Sequence, residues 1–325
     1  MEGGAPVIQD GRVRSTPGVG AVVGIVVWVV VFALSTGPLS DRVGLLEGLW
    51  LLGPLVVVPV GTALLRPPDA LGGGVALLRR FVLPAALLVV VSILVEPGPL
   101  SVALCLPWLA LGGIALWAGV QWVVEVSSAR SKVIVPAAGL VFLGIGAFML
   151  LAWRGQFHPF GGTDTSVALA AVHFTFVGFG ATVVADRTRA AAARIRSRSV
   201  AGVAAVATVV SMVVLGVGFL TRVTLIDVVG TVALSASLLV VATVMLMGAM
   251  HRDRGPGSTA LLVVSGGSLV FALVLAVQFA IGQWNDEYTL SVTRMLELHG
   301  TIGGLGFVVG GLLGWTLVDL PEELD

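Results

Sequence analysis

Two histidines inside long apolar segments are the residues of this chain best suited to chemistry. His173 and His299 each interrupt a hydrophobic run. Neutral imidazole ligates metal ions, and its ordinary pKa of about 6.5 allows it to carry protons near neutral pH. Glu47 lies in a third apolar run, where a carboxylate could orient an imidazole or act as a further ligand. These three residues are therefore the first candidates for a site.

The composition identifies the elements that must position these side chains. Of the 325 residues, 57% are hydrophobic and 11% are charged, against about 25% charged in a soluble domain. This predicts an all-α, polytopic bundle of transmembrane helices. The net charge of zero argues against nucleic acid as a partner. The single cysteine, Cys105, excludes an intramolecular disulfide and any cysteine-based zinc or iron–sulfur site.

About 20 apolar residues cross a bilayer, and runs of that length predict about ten spans. A polar tail (1–18) precedes a single transmembrane domain (19–318), and an acidic tail (319–325) follows it. The predicted spans are 19–36, 43–65, 80–96, 100–122, 132–153, 165–185, 199–221, 225–250, 258–283 and 294–318.

The distribution of basic residues predicts how the bundle is oriented. Fourteen of the 18 Lys and Arg residues fall on one side of the ten spans, and cytoplasmic loops are the ones enriched in these residues. We therefore expect both termini to be cytoplasmic in the plasma membrane of a prokaryote, with membrane lipids as the surrounding partners.

With this orientation, the polar residues inside the spans share the outer half of the membrane. They are Glu47, His173, Gln278, Glu297 and His299. Ionisable groups inside spans are costly and often functional. The inner half shows almost nothing comparable, so the sequence predicts a polar site open to the outside. It could be a water-filled cavity, a metal or haem site held by the two histidines, or a catalytic pocket; no cofactor is assigned.

Each of these residues also has a structural interpretation. A histidine in a span can bond a backbone carbonyl and join helices. Glu297 can pair with Arg294, three residues earlier, and Glu47 with Arg42 or Arg294. The outer loops add two further candidates that could simply be exposed, His158 and Asp164.

The two histidines begin similar motifs. HFTFVGFG (173–180) and HGTIGGLG (299–306) share H-x-T-x-x-G-x-G, which adds Thr175 and Thr301 to the candidate site. The motifs are four spans apart, which suggests a weak parallel repeat of 80–186 and 199–318. Such a repeat would place the histidines at equivalent depths. Glycines at four-residue spacing in the last span favour close helix packing.

Four stretches carry a family resemblance: EGLWLLGPLVVVPVG (47–61), PAALLVVVSILVEPGPLSVALCLPW (84–108), ALAAVHFTFVGFG (168–180) and LELHGTIGGLGF (296–307). The chain resembles the YndJ-like family of bacterial multi-pass membrane proteins. Thr175 stands where the family pattern has a second histidine, and Gly303 stands where it has asparagine, which weakens a metal site that needs them. The resemblance implies the fold and the two histidines, but no reaction or substrate.

Three classes of function stay open on the sequence. The first is binding or transport of a small or lipophilic molecule at the outer site. The second is a membrane-embedded enzyme or a metal- or haem-binding redox protein, although no recognised catalytic spacing occurs. The third is a membrane sensor or an assembly partner.

Overall fold

A computed structural model describes residues 19–35, 37, 43–68, 71–125, 131–192, 198–250 and 255–318. Within these ranges the chain forms a helical bundle and contains no strand. The ten long helices are α1 (Val19–Ser35), α2 (Leu45–Leu64), α3 (Gly72–Leu94), α4 (Pro99–Glu125), α5 (Ser131–Arg154), α6 (Asp164–Ala192), α7 (Arg198–Thr221), α8 (Thr224–Ala249), α9 (Pro256–Asn285) and α10 (Val292–Thr316).

The predicted polytopic helical bundle is confirmed. Away from its two ends a helix satisfies its backbone hydrogen bonds internally, which is why apolar segments in lipid fold this way. In the described ranges, nine helices are long and apolar enough to cross a membrane, and α1, with 17 residues, is shorter. The side on which the termini lie stays a prediction from the basic residues.

The third helix begins at Gly72, earlier than the predicted residue 80. The reason is Arg79, whose guanidinium donates to the carbonyl oxygens of Thr62 (3.0 Å) and Leu65 (2.8 Å). The last carbonyls of a helix lack an internal partner. Arg79 supplies the donors at the end of α2, so α3 includes its two arginines.

Helices α2 and α6 form the centre of the bundle. In their most apolar stretches, 83% of α2 and 78% of α6 are buried inside the protein. Both helices contain a π-helical segment, Gly53–Val57 in α2 and Phe174–Ala181 in α6. Helix α10 contains two further ones, Leu296–Gly300 and Ile302–Val309.

These π-helical segments of α2, α6 and α10 contact one another. In α2 the cause is local, because Pro54 lies at the start of the segment and a proline disrupts the regular hydrogen-bond ladder. The segments in α6 and α10 contain no proline; Phe174–Ala181 directly follows His173, Leu296–Gly300 contains His299, and Ile302–Val309 comes after it. π-helical turns occur frequently at functional sites, so this contact region frames the candidate site.

Polar caps fix where the two histidine-bearing helices begin. The Thr163 hydroxyl accepts from the Ser166 N–H at the start of α6 (3.2 Å). The Ser291 hydroxyl accepts from the Arg294 N–H at the start of α10 (3.2 Å). Such N-caps satisfy donors that the first helical turn leaves free, and they set the depth of each histidine below its helix start.

Candidate functional site

His173 lies in α6, immediately before its π-helical segment, and is half-buried. Its Nδ1 is 2.8 Å from the carbonyl oxygen of Leu169. Because a carbonyl only accepts, Nδ1 carries the hydrogen, and the neutral ring presents Nε2 as an acceptor. The edge of the ring contacts Phe219 of α7, with the ring centroids 5.3 Å apart.

His299 lies in α10 and is held in the same tautomer. Its Nδ1 is 2.9 Å from the carbonyl oxygen of Ala272 in α9. This bond joins two helices, as the structural interpretation of the histidines predicts. Nε2 again remains an acceptor. The two imidazoles also lie near enough for a charge on His173 to act on His299.

Asp227 is a third member of this group, and the sequence analysis missed it. It lies in the first turn of α8 and is only 9% exposed. Its charge acts on His173, and Gln283 of α9 lies beside the carboxylate. In the described part of the chain, Oδ1 of Asp227 is buried without a hydrogen-bond partner. The same depth argument that selected His173 would have found it, since Asp227 lies inside a predicted span.

Two glycines allow Asp227 to approach α7. A Cβ on Gly218 would lie 2.7 Å from the Cα of Asp227, and a Cβ on Gly230 would lie 2.6 Å from the backbone nitrogen of Leu215. Helices α7 and α8 therefore touch through their backbones. This contact places Asp227 against Gly218, which precedes Phe219, the residue that contacts His173.

The glycines of the two histidine motifs bring α6 and α10 together. A Cβ on Gly180 would lie 2.5 Å from Val308 of α10, and a Cβ on Gly304 would lie 3.3 Å from Phe176 of α6. Each motif therefore accepts a side chain of the other helix, which agrees with the packing interpretation of these glycines. The proposed repeat of 80–186 and 199–318 stays a prediction, although consecutive helices pack in sequence in both halves.

Glu47 has a different environment from the one that the sequence predicts. Its Oε2 accepts from the backbone N–H of Gly44 (3.0 Å) and so caps the start of α2. Its charge acts on Arg154. Arg42, one predicted partner, lies outside the described residues, and the other, Arg294, pairs with Glu297 at 2.8 Å. The predicted Arg294–Glu297 pair is thereby confirmed.

The other candidate residues in the spans are not in contact with one another. Thr175 is 1% exposed. Its hydroxyl packs against Gly146 of α5, where an added Cβ would lie 2.7 Å from the hydroxyl oxygen. Thr301 is half-buried in α10. Gln278 is exposed on the outside of α9, so it does not face the group formed by the two histidines and Asp227.

The two outer-loop candidates lie together. Nε2 of His158 is 2.7 Å from Oδ1 of Asp164. Their side chains are 38% and 64% exposed, so this pair lies at the surface of the protein, as an exposed loop would place it.

Arg154 is a buried cation that stabilises the end of the bundle where α3 is followed by α4. It is 5% exposed and donates to the carbonyl oxygens of Ser92 (2.7 Å) and Val95 (2.6 Å), and to the Ser101 hydroxyl (2.8 Å). These carbonyls belong to the last turn of α3 and the residue that follows it. A guanidinium with several fixed donors suits this role, so Arg154 joins α3, α4 and α5.

Two charged residues beyond the predicted span 165–185 are buried. Asp186 and Arg187 lie in α6 and are 9% and 4% exposed. Asp186 also pairs with Arg189 at 2.9 Å. The helix continues to Ala192, and the pairing of Asp186 with Arg189 offsets part of the cost of burying these charges.

The two histidines do not belong to a larger metal-binding set in the described residues. There, no three or more His, Cys, Asp and Glu side chains form a group that could hold a metal ion. Each histidine instead keeps Nε2 as a hydrogen-bond acceptor, and the Asp227 carboxylate lies near enough to His173 for its charge to act on that ring.

The fold and this polar group define the class of protein: a multi-pass helical membrane protein with ionisable side chains inside its spans. A family model described as "YndJ-like protein" matches residues 48–307 of this chain. The chain therefore belongs to the YndJ-like family, and the resemblance noted in the sequence is confirmed.

The comparison with curated proteins adds a relative from Bacillus subtilis (strain 168), named "Uncharacterized membrane protein YndJ". It is 22% identical over 191 residues, which cover 58% of this chain and 33% of the relative. The aligned region therefore spans about a third of the length of that relative. No solved structure matches the chain.

Proposed function

We propose that this membrane protein binds a small molecule that carries a positively charged, hydrogen-bond-donating group, such as a protonated amine. The site is formed by His173, His299 and Asp227 in the outer half of the membrane. In this proposal Asp227, and not Glu47, is the carboxylate of the site. One observation carries the proposal: both imidazoles use Nδ1–H on a backbone carbonyl and keep Nε2 as an acceptor, and Asp227 lies near enough to His173 for its charge to act on that ring.

Charge and hydrogen bonding select this class of ligand. A buried carboxylate oxygen without a donor is costly, and Oδ1 of Asp227 is such an atom in the described part of the chain. A protonated primary amine offers three donors and a positive charge. It would satisfy the carboxylate and an imidazole Nε2 together, and the bond would be charge-assisted. A ligand that offers only acceptors would find no donor on the two imidazole Nε2 atoms or on Oδ1 of Asp227.

The path below the histidines favours binding over transport. Val57, Phe179 and Val308 are buried between the motif glycines, so the helix contact on the inner side of the site is apolar. A transported ion or amine would need a polar path there, or a rearrangement of these helices. We therefore propose entry from the outer face and a location in the plasma membrane with both termini inside, as the basic residues predict.

The test measures the thermal stability of the protein in mild detergent at neutral pH with a panel of primary amines of increasing chain length. Binding to the folded state raises the melting temperature. We expect stabilisation by a primary amine and little by its N-trimethylated counterpart, which has the same charge and no N–H donor.

Variants assign the effect to the site. Asp227→Asn and His173→Ala should abolish the stabilisation, whereas His158→Ala should retain it, because His158 lies in the exposed pair with Asp164. Equal stabilisation by the primary and trimethylated amines, or an unchanged response in Asp227→Asn, would contradict the proposal.

A further inference from the structure

A stripe of exposed residues runs along the outside of α9. Its members are spaced alternately by four and three residues: Ala260, Val264, Gly267, Phe271, Val274, Gln278 and Ile281. Val264, Phe271, Val274 and Ile281 are 57%, 49%, 61% and 52% exposed. An alternation of four and three is the heptad spacing of helices that pack side by side.

Gln278 is the polar member of this stripe. It lies six residues, about 9 Å, before the exposed Trp284, a residue type that favours the membrane interface. Side chains on a helix lean toward its N-terminus. The amide of Gln278 therefore leans away from the nearer interface and into the apolar region, and no described residue hydrogen-bonds to it.

We propose that the α9 stripe is the interface of a homodimer, with Gln278 hydrogen-bonded to Gln278 of the second copy. Two copies inserted with the same orientation are related by an axis along the membrane normal, so that residues of equal depth meet. A primary amide carries both donor and acceptor, so two copies of it are self-complementary. Gly267, whose Cβ position faces open space, lets the second helix approach closely.

This inference is independent of the proposed amine site. The α9 stripe faces outward, whereas Ala272, whose carbonyl bonds His299, and Gln283, which lies beside Asp227, are on the other faces of the same helix. Failure of amine binding would leave the dimer unaffected, and the reverse also holds.

Disulfide cross-linking tests the interface directly. Cys105 is the single cysteine of the chain, so Cys105→Ala provides a background without thiols. In this background we expect Val274→Cys and Ile281→Cys to form disulfide-linked dimers in native membranes under mild oxidation. Leu239→Cys, at a comparably exposed position (46%) on α8, should stay monomeric. Equal cross-linking at all three positions, or none at either α9 position, would overturn the proposal.

The amide itself is tested by the dissociation constant of the dimer in lipid vesicles, measured by fluorescence energy transfer at increasing lipid dilution. Gln278→Leu should weaken the dimer about tenfold, equivalent to about 1.4 kcal/mol and within the range for interhelical hydrogen bonds in membranes. Gln278→Asn keeps the amide and should retain most of the affinity. Equal dissociation constants for wild type and Gln278→Leu would overturn the role of the amide.

Discussion

Gly218 should be essential for the position of Asp227, and Gly218→Ala tests this. The added Cβ would lie 2.7 Å from both the Cα and the backbone nitrogen of Asp227. Two carbon atoms pack at about 3.5–4.0 Å. Since both neighbours are backbone atoms, no side-chain rotation can relieve the contact, and α7 and α8 must separate.

Gly113→Ala is the matched control for this substitution. A Cβ on Gly113 in α4 meets nothing within 4 Å. Replacing a helical glycine by alanine favours the helix by about 1 kcal/mol, and this gain applies to both variants. Overpacking costs about 1–3 kcal/mol and applies only at Gly218. We therefore expect Gly218→Ala to be less stable than Gly113→Ala by about 1–3 kcal/mol.

The assay is unfolding of both variants by sodium dodecyl sulfate in mixed micelles, followed by circular dichroism. Amine binding should also weaken in Gly218→Ala, because Asp227 moves away from His173, and should persist in Gly113→Ala. If both variants are equally stable, α7 and α8 are not in backbone contact, and the argument that this contact positions Asp227 is refuted.

Two further predictions concern the end of the bundle where α3 is followed by α4, and the orientation of the bundle. Arg154→Met should lower the free energy of unfolding by about 1–3 kcal/mol, because the Val95 carbonyl loses its guanidinium donor and the Ser92 carbonyl keeps the Ser101 hydroxyl at 3.3 Å. The exposed Arg80→Met is the control, and equal losses would contradict the capping role. In the Cys105→Ala background, a membrane-impermeant maleimide added to intact cells should label His158→Cys and leave Arg66→Cys unlabelled until the membrane is opened. The opposite pattern would reverse the predicted topology.

Much of the fold follows from composition alone. Apolar runs of about 20 residues must become helices in lipid, because an unpaired backbone group there is costly. The helices found in the structure match the ten predicted segments, and the family resemblance that the motif residues suggest is also confirmed. A helix boundary differs from its predicted position where a charged side chain has a hydrogen-bond partner. Arg79 of α3, for example, donates to a carbonyl at the end of α2.

Two of the three residues of the proposed site were selected from the sequence. The cost of an ionisable group in a span points to His173 and His299, and in the structure each imidazole bonds a backbone carbonyl. The same rule selected Glu47 and Gln278, which lie elsewhere. Depth along a helix is a local property, but the direction of a side chain around the helix depends on which neighbours pack against it.

The sequence by itself therefore determined the class of protein, its helices and the depth of its polar residues, since each depends on local composition and length. Only the tertiary structure decided which of those residues meet. Asp227 joins His173 because glycines let α7 and α8 touch, and α6 meets α10 where each motif accepts a side chain of the other. Such contacts join residues far apart in the chain, and no local pattern specifies them.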